Sequence, residues 1–277
     1  FRLAPAASMI AQMPVQWLTT VGDFNDDGSQ QVLVLAENSA SADAALEQVN
    51  AVFPAAGINY EVLRVDAPAA DYSPLIARVV TREQAADVIL LYVMGDATLD
   101  LLRQLLDAGI GPQKGTLLVG GRAVLDGAQF WTHVPDGAFT VATRRGPWPT
   151  SVMPLGESFV ERFRAYSAQW PEPVAFAAYD AIHLLADAAQ RARSISPPDL
   201  VAALETTDIT LASGYYNFPF NRSNPPDGVT EPAYLWHQWR DPQLLYLQYR
   251  EPQQDPSTMD VLWPLRYRTV EEAALRP

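Results

Sequence analysis

Short apolar runs alternate with helix-length amphipathic stretches through the first half of the chain. Gln31–Ala36 (QVLVLA) and Val88–Val93 (VILLYV) are apolar throughout, the pattern of strands covered on both faces of a sheet. Asn59–Val65 alternates and reads as a strand. Thr116–Val119 and Ala138–Ala142 read as two more. Between them, Ala42–Phe53 carries Ala45, Leu46, Val49 and Phe53 at helical spacing, and Gly57 follows its end. Ser73-Pro74 opens a helix expected to run to about Gln84, with Leu75, Ile76, Val79 and Val80 on one side. Ala97–Ala108 is a third helix, with Gly109 placed to cap it. Val124–Trp131 is a short fourth.

The second half changes character at Arg145–Pro149. Helices are expected over Gly156–Gln169, Val174–Arg193 and Ser196–Leu204. A strand is expected within Ser213–Phe220, and a turn-rich loop over Asn221–Pro232. Tyr234–Trp239 and Leu244–Tyr249 read as a hairpin turning at Asp241-Pro242. The tail from Glu251 is proline-rich and reads as extended. Strand–helix alternation implies parallel strands joined by right-handed crossovers, so the fold class is α/β with an open sheet.

Composition narrows the functions. The chain has 277 residues, a soft expectation of two domains at roughly 150 residues each. Its 19 basic residues against 32 acidic ones give a net charge of −13. Phosphate backbones need a basic stripe, so nucleic acid is not an expected partner, and neither is an anionic membrane surface. With no cysteine, disulfides, thiolate catalysis and Cys-ligated metals are excluded. No apolar run reaches the length that crosses a bilayer, so no transmembrane segment is expected. Phe1 opens the chain with no leader pattern, and whatever came before it is expected to have been removed by processing or by trimming.

Four stretches, in order, resemble the type I periplasmic solute-binding proteins of the branched-chain amino acid receptor (ABC transporter) family. Phe1-Arg2-Leu3-Ala4-Pro5 is similar to that family's FR-x-x-P start of the second lobe. Asp71–Arg78 (DYSPLIAR) resembles its DFS-x-L-I-A-R helix start. Val174–Ala188 resembles its A-x-x-Y-D-A-x-x-L-L-A-x-A helix, with Tyr179 and Asp180 at the Y-D pair. Ser213–Asn221 resembles its G-x-x-x-F-D segment. The resemblance covers about residues 1–250 and implies two α/β lobes that clamp a ligand. Residues 1–145 would be the family's second lobe, completed by 234–250. Residues 146–233 would be part of the first lobe, whose opening βα units have no counterpart here. Residues 251–277 would be the extended C-terminal tail.

Ligands in open α/β sheets bind outside the carboxyl ends of the strands. Four loops qualify: Glu37–Ser41, Val65–Tyr72, Met94–Ala97 and Gly120–Ala123. Ser39 and Ser41 offer hydroxyls to a ligand, or an N-cap to the next helix. Asp96 could hold an ammonium group or cap its own helix. The resemblance implies aromatic residues after the first and third strands of this lobe and an acid after the fourth. Ser41, Met94 and the pair Gly121-Arg122 stand at those places. Arg122 suits a carboxylate or another anion; the alternative is a surface arginine.

Asp23, Asn25 and Asp27 match the first half of a Ca2+ loop, closed by Gly28, but Val34 stands where the bidentate Glu belongs. The plain alternative is a polar loop of Asx turns. His133, His183 and His237 are scattered over separate elements without zinc spacing. No nucleophile elbow or phosphate loop is present, so no enzyme is expected. The aromatic-rich second half suits core packing, or an interface for another chain. The expected function is extracytoplasmic capture of a small polar or carboxylate-bearing ligand between two lobes, for delivery to an ABC-type permease. Closure would hinge near Arg2–Pro5 and Arg145–Trp148. The alternative is a binding-protein fold reused as a structural or interaction subunit of a larger cell-surface assembly.

Overall fold

The structure, a computed structural model, describes residues Phe1–Pro277. It divides into two compact units, one of Phe1–Met9 with Arg145–Leu244, the other of Ile10–Arg144 with Leu245–Pro277. The chain therefore passes between units at Met9/Ile10, Arg144/Arg145 and Leu244/Leu245.

The larger unit is built on a seven-stranded sheet. Its strands are β1 (Val32–Glu37), β2 (Tyr60–Val65), β3 (Val88–Tyr92), β4 (Leu117–Gly120), β5 (Val141–Arg144), and, far along the chain, β8 (Leu245–Gln248) and β9 (Asp260–Trp263). They lie in the order β2-β1-β3-β4-β5-β8-β9. The first five are parallel, with Val34 beside both Val62 and Leu90 and Val119 beside Val141. β8 and β9 join antiparallel, Thr143 opposite Tyr246 and Leu247 opposite Val261. β1 and β3 are apolar on both sides because helices cover both sides of a parallel sheet. At the β2 edge Leu63 and Val65 are buried while Glu61 and Arg64 face water. The crossovers run through α2 (Ala40–Val52), α3 (Ser73–Val80), α4 (Ala97–Asp107) and α5 (Gly127–His133).

One carboxylate ties the amino ends of these strands to the preceding loop. Asp87 is fully buried. Its Oδ1 accepts from the backbone N–H groups of Phe24 (2.6 Å) and Asn25 (2.9 Å), and its Oδ2 from that of Gln31 (2.6 Å). Burial pushes its pKa up, against the pull of the three donors.

The structure corrects several expectations. The helix from Ser73 stops at Val80, where the Thr81 hydroxyl turns back to donate to the Ala77 carbonyl at 2.8 Å. The expected helix over 124–131 is two pieces, a 3-10 turn (Arg122–Leu125) and α5, broken where Asp126 caps α5 through the Gln129 N–H. The strand expected from Ala138 begins at Val141, because Phe139 takes a left-handed φ of 65°. A helix of 15 residues, α1 (Ala7–Val21), occupies a stretch assigned no element from the sequence, with Pro14 inside it.

The hairpin expected over 234–250 does not form. Ala233–Leu235 is a 3-10 turn and His237 has φ 48°. The segment pairs instead with the first residues: the Arg2 N–H donates to the His237 carbonyl (2.8 Å), and the Trp239 N–H to the Arg2 carbonyl (2.9 Å). Residues 1–9 and 234–244 thus belong to the unit of residues 145–233, and 245–277 to the larger one. The expected extended tail of 251–277 contains β9, the last strand of the large sheet.

The smaller unit holds α6 (Pro154–Ser167), α7 (Pro173–Ala192), α8 (Pro197–Glu205) and a two-stranded sheet of β6 (Ile209–Leu211) and β7 (Gly214–Tyr216). The expected strand within 213–220 is therefore one arm of a hairpin. Leu184 and Ala188 of α7 pack with Leu204, Leu211, Tyr216, Phe218 and Trp239. The turn-rich loop that follows is organised by Asp227. Its carboxylate accepts from the Thr230 hydroxyl (2.6 Å) and from the backbone N–H groups of Thr230 (2.7 Å), Val229 (2.8 Å) and Glu231 (3.2 Å). These bonds, the Thr230 hydroxyl first, hold its pKa well below the usual carboxylate range. A folded-state value below the unfolded one contributes stability above the unfolded value, and that contribution is lost as pH falls through the folded one. In an NMR titration the amide shifts of residues 229–231 should stay constant down to the ordinary Asp pKa. They should move only below it, together with the Asp227 carboxyl.

Candidate functional site

The strand order places a topological switch point in the large sheet. From β1 the chain crosses to β2 on one side, then to β3 on the other. The loops leaving the carboxyl ends of β1 and β3 therefore diverge, and the crevice between them is where open α/β sheets hold ligands. β1 ends at Glu37 and α2 begins at Ala40; β3 ends at Tyr92 and α4 begins at Ala97. Both helix N-termini carry partial positive charge.

Glu37 spans the switch point, its Oε2 accepting from the Met94 N–H at 2.9 Å. Beside it Asn38 donates from Nδ2 to Asp66 Oδ1 at 2.5 Å, joining the β1 and β2 loops. The Arg64 guanidinium pairs with Asp43 (2.6 Å) and reaches the Glu37 carbonyl (3.3 Å). The rim thus offers carboxylates and amides together, fixed by loop-to-loop bonds at the ends of rigid strands.

Ser39 caps α2, its Oγ accepting from the Ala42 N–H (3.2 Å) and lying 3.0 Å from Ser41 Oγ. Ser41 is exposed and Ser39 half-buried, so the capping role and a ligand role share one pair of residues. Met94 is 67 % exposed, and Gly95 after it turns with φ 61°, bringing the backbone close to the crevice. Asp96 makes no cap bond; the expected capping role is replaced by a bond to α5, where Gln129 Nε2 donates to Asp96 Oδ1 at 2.6 Å. Arg122 is exposed and opens the 3-10 turn after β4. Space around Gly121 is open, since a Cβ there would meet nothing within 4 Å. Ser39, Ser41, Met94 and Asp96 lie in the two switch-point loops; Gly121 and Arg122 belong to the neighbouring loop after β4.

Sequence reasoning passed over Glu37, Asn38, Asp66 and Gln129. Glu37 carried a signal: it is the charged residue that closes the apolar run QVLVLAE, and a charge at the end of a buried strand sits where that strand leaves the core.

The Asp23–Gly28 loop spends its oxygens on its own backbone. Asp23 accepts from the Asp27 N–H (3.1 Å) and the Gly28 N–H (2.7 Å), Asn25 from the Asp27 N–H (2.9 Å), and Asp27 from the Ser29 N–H (3.2 Å). These bonds are Asx turns, the plain alternative for this loop.

The fold and the switch-point rim define a class, a ligand-binding protein of the α/β type. The periplasmic binding protein family model matches residues 4–238. The chain belongs to that family, and its fold is that of the type I periplasmic binding proteins. The leucine-binding protein LivK of Thermotoga maritima is 14 % identical, with a TM-score of 0.65 over 94 % of this chain and 66 % of its own. A periplasmic ligand-binding protein of a branched-chain amino acid ABC transporter from Burkholderia xenovorans is 16 % identical, with a TM-score of 0.72 over 94 % of this chain and 63 % of its own. LivJ of Streptococcus pneumoniae, solved with isoleucine, is 15 % identical, with a TM-score of 0.60 over 93 % of this chain and 64 % of its own. The chain thus spans about two thirds of the length of these solved structures. No curated protein sequence matches it. The family and these neighbours are solute-binding proteins rather than enzymes, and membership supports an extracytoplasmic location. No helix is long and apolar enough to cross a membrane.

Proposed function

We propose that this chain is the solute-binding component of an ABC-type importer, in the periplasm or at the cell surface, and that it takes a small polar ligand at the β1/β3 switch point. The observation that carries this reading is the pair of loops after β1 and β3. They bring Glu37, Ser39, Ser41 and Met94 to the carboxyl ends of two adjacent strands, beside the N-termini of α2 and α4. In this reading Arg122 receives a carboxylate or another anionic group from the β4 loop. Glu37 supplies the negative charge that the β4 loop lacks, so one ligand could be held at an amine and at an acid. Closure of two lobes on that ligand, with hinges where the chain passes between units, belongs to the same proposal.

Calorimetric titration of the full chain against leucine, isoleucine and a panel of small carboxylates and amides tests it. A saturable heat is expected for at least one compound. Glu37→Gln should then weaken an amine-bearing ligand by about tenfold to a hundredfold, since a hydrogen bond to a charged group is worth about 1.5–3 kcal/mol. Circular dichroism should be unchanged, because the Gln oxygen still accepts from the Met94 N–H.

A second reading is a binding-protein fold serving as an interaction subunit. The rim's self-pairing favours it: Glu37 with Met94, Asn38 with Asp66, and Gln129 with Asp96 already occupy one another. Silence across the whole panel, with stable association to another chain, is its expected signature.

A further inference from the structure

The smaller unit carries a groove of about 690 Å³ along α6, within the range of about 300–1,000 Å³ that holds small ligands. Its apolar wall is Trp170 with Pro149, Val152 and Val160. The Trp170 ring is fixed in place by its own contacts. Its Nε1 donates to the Pro147 carbonyl at 3.3 Å, and it meets Trp148 edge-on with ring centroids 5.7 Å apart. Glu157 and Glu161 line the same groove. They stand one turn apart on α6, so both carboxylates share one side of the helix. Neither lies within ion-pair distance of a cation of this chain. Arg164 lines the groove farther along α6, and Arg162 turns its Nε to the Ser158 carbonyl at 3.1 Å.

Whatever fills this groove strips water from two carboxylates. A neutral apolar molecule would leave them charged and unpaired, which costs free energy, and an anion would add repulsion. A bare Ca2+ or Mg2+ takes about six or more oxygen ligands, which two carboxylates beside an indole do not supply. An organic cation satisfies every surface of the groove at once. Its charge pairs with Glu157 and Glu161 and relieves their mutual repulsion. Its apolar body lies against the indole, whose electron-rich face attracts cations. Two acids against one arginine give the lining a net charge of −1, which suits a single positive charge. We propose that the α6 groove is a ligand site of its own, separate from the rim of the larger unit, and that it takes a small organic monocation, an amine borne on a flat apolar group.

Phenethylammonium chloride is the probe, titrated into the full chain labelled with 15N at its tryptophans. The Trp170 indole is one of seven such signals and is assigned by its loss in Trp170→Phe. The expected result is a saturable shift of the Trp170 indole N–H. 3-Phenylpropanoate, of similar shape and opposite charge, should leave that signal in place, as should sodium chloride at equal ionic strength. The double variant Glu157→Gln/Glu161→Gln should weaken the amine by about tenfold or more, since it removes both charges that pair with it. Circular dichroism should be unchanged, because neither side chain holds another part of the chain. An unmoved Trp170 signal, an equal response to the anion, or a double variant that titrates like the parent would each overturn the proposal. The shift is read at Trp170 itself, in the smaller unit, so ligand capture at the β1/β3 rim does not enter the outcome.

Discussion

Asp180→Ala is expected to lower the unfolding free energy of the unit containing residues 145–244 by about 3–5 kcal/mol. Asp180 is fully buried. Its carboxylate accepts from the Ala212 N–H, the Ser213 N–H and the Tyr216 hydroxyl, each at 2.9 Å. It thereby fastens α7 to the turn of the β6–β7 hairpin. Burial, with the nearby Asp180 charge, holds the Tyr216 phenol well above its usual pKa, so it stays a donor. Alanine leaves three buried donors without an acceptor, each at a cost of about 1–3 kcal/mol, and relaxation of the turn keeps the sum in the lower part of that range. Asp180→Asn retains one accepting oxygen and should cost about half as much. Urea unfolding followed by circular dichroism measures both. A loss no larger than that of the exposed control Asp208→Ala would refute the role. The Y-D pair that carries the family resemblance therefore has a structural reason, independent of any ligand.

Trp17→Ala should cost the larger unit about 3–5 kcal/mol, the range for deleting a buried aromatic side chain. Trp17 is fully buried, stacks on Tyr246 of β8 with ring centroids 4.1 Å apart, and donates from Nε1 to the Ala273 carbonyl at 2.8 Å. It thus joins α1, the antiparallel strands and the last residues of the chain. Hydrogen exchange should show the amides of residues 270–275 losing protection in this variant before those of β1 and β3. Trp17→Phe keeps the stack and loses one hydrogen bond, so a cost of about 1 kcal/mol is expected. Equal stability of Trp17→Ala and the parent would mean that the terminal segment holds without α1.

Every parallel strand and each of its crossover helices was legible within a few residues, because their patterns are local. VLVLAE and VILLY have the length and β-branched content of covered strands, and Ala42–Phe53 repeats at the helical period. Errors gathered where a distant partner decides the conformation. Tyr234–Trp239 has the composition of a strand, yet its partner is Arg2, and Pro232 and the left-handed His237 rule out a hairpin. Ala7–Val21 is helical although Pro14 lies inside it, and Trp17 and Leu18 of that helix are buried. At the rim, Ser39 and Ser41 were visible as hydroxyls before a helix. Glu37 and Gln129 matter through what they reach, Met94 and Asp96, and neither reach is written in local spacing.

By itself, then, the sequence determined the α/β class, the parallel core of the larger unit and the loops at its carboxyl edge, since hydrophobic period and turn chemistry act over a few residues. Tertiary structure decided which unit each terminal segment joins and which rim groups bond to one another. It also decided which side chains of α6 share a groove with Trp170. Those outcomes depend on burial and hydrogen bonds between residues far apart in the chain, whose free energy appears only once the segments have met.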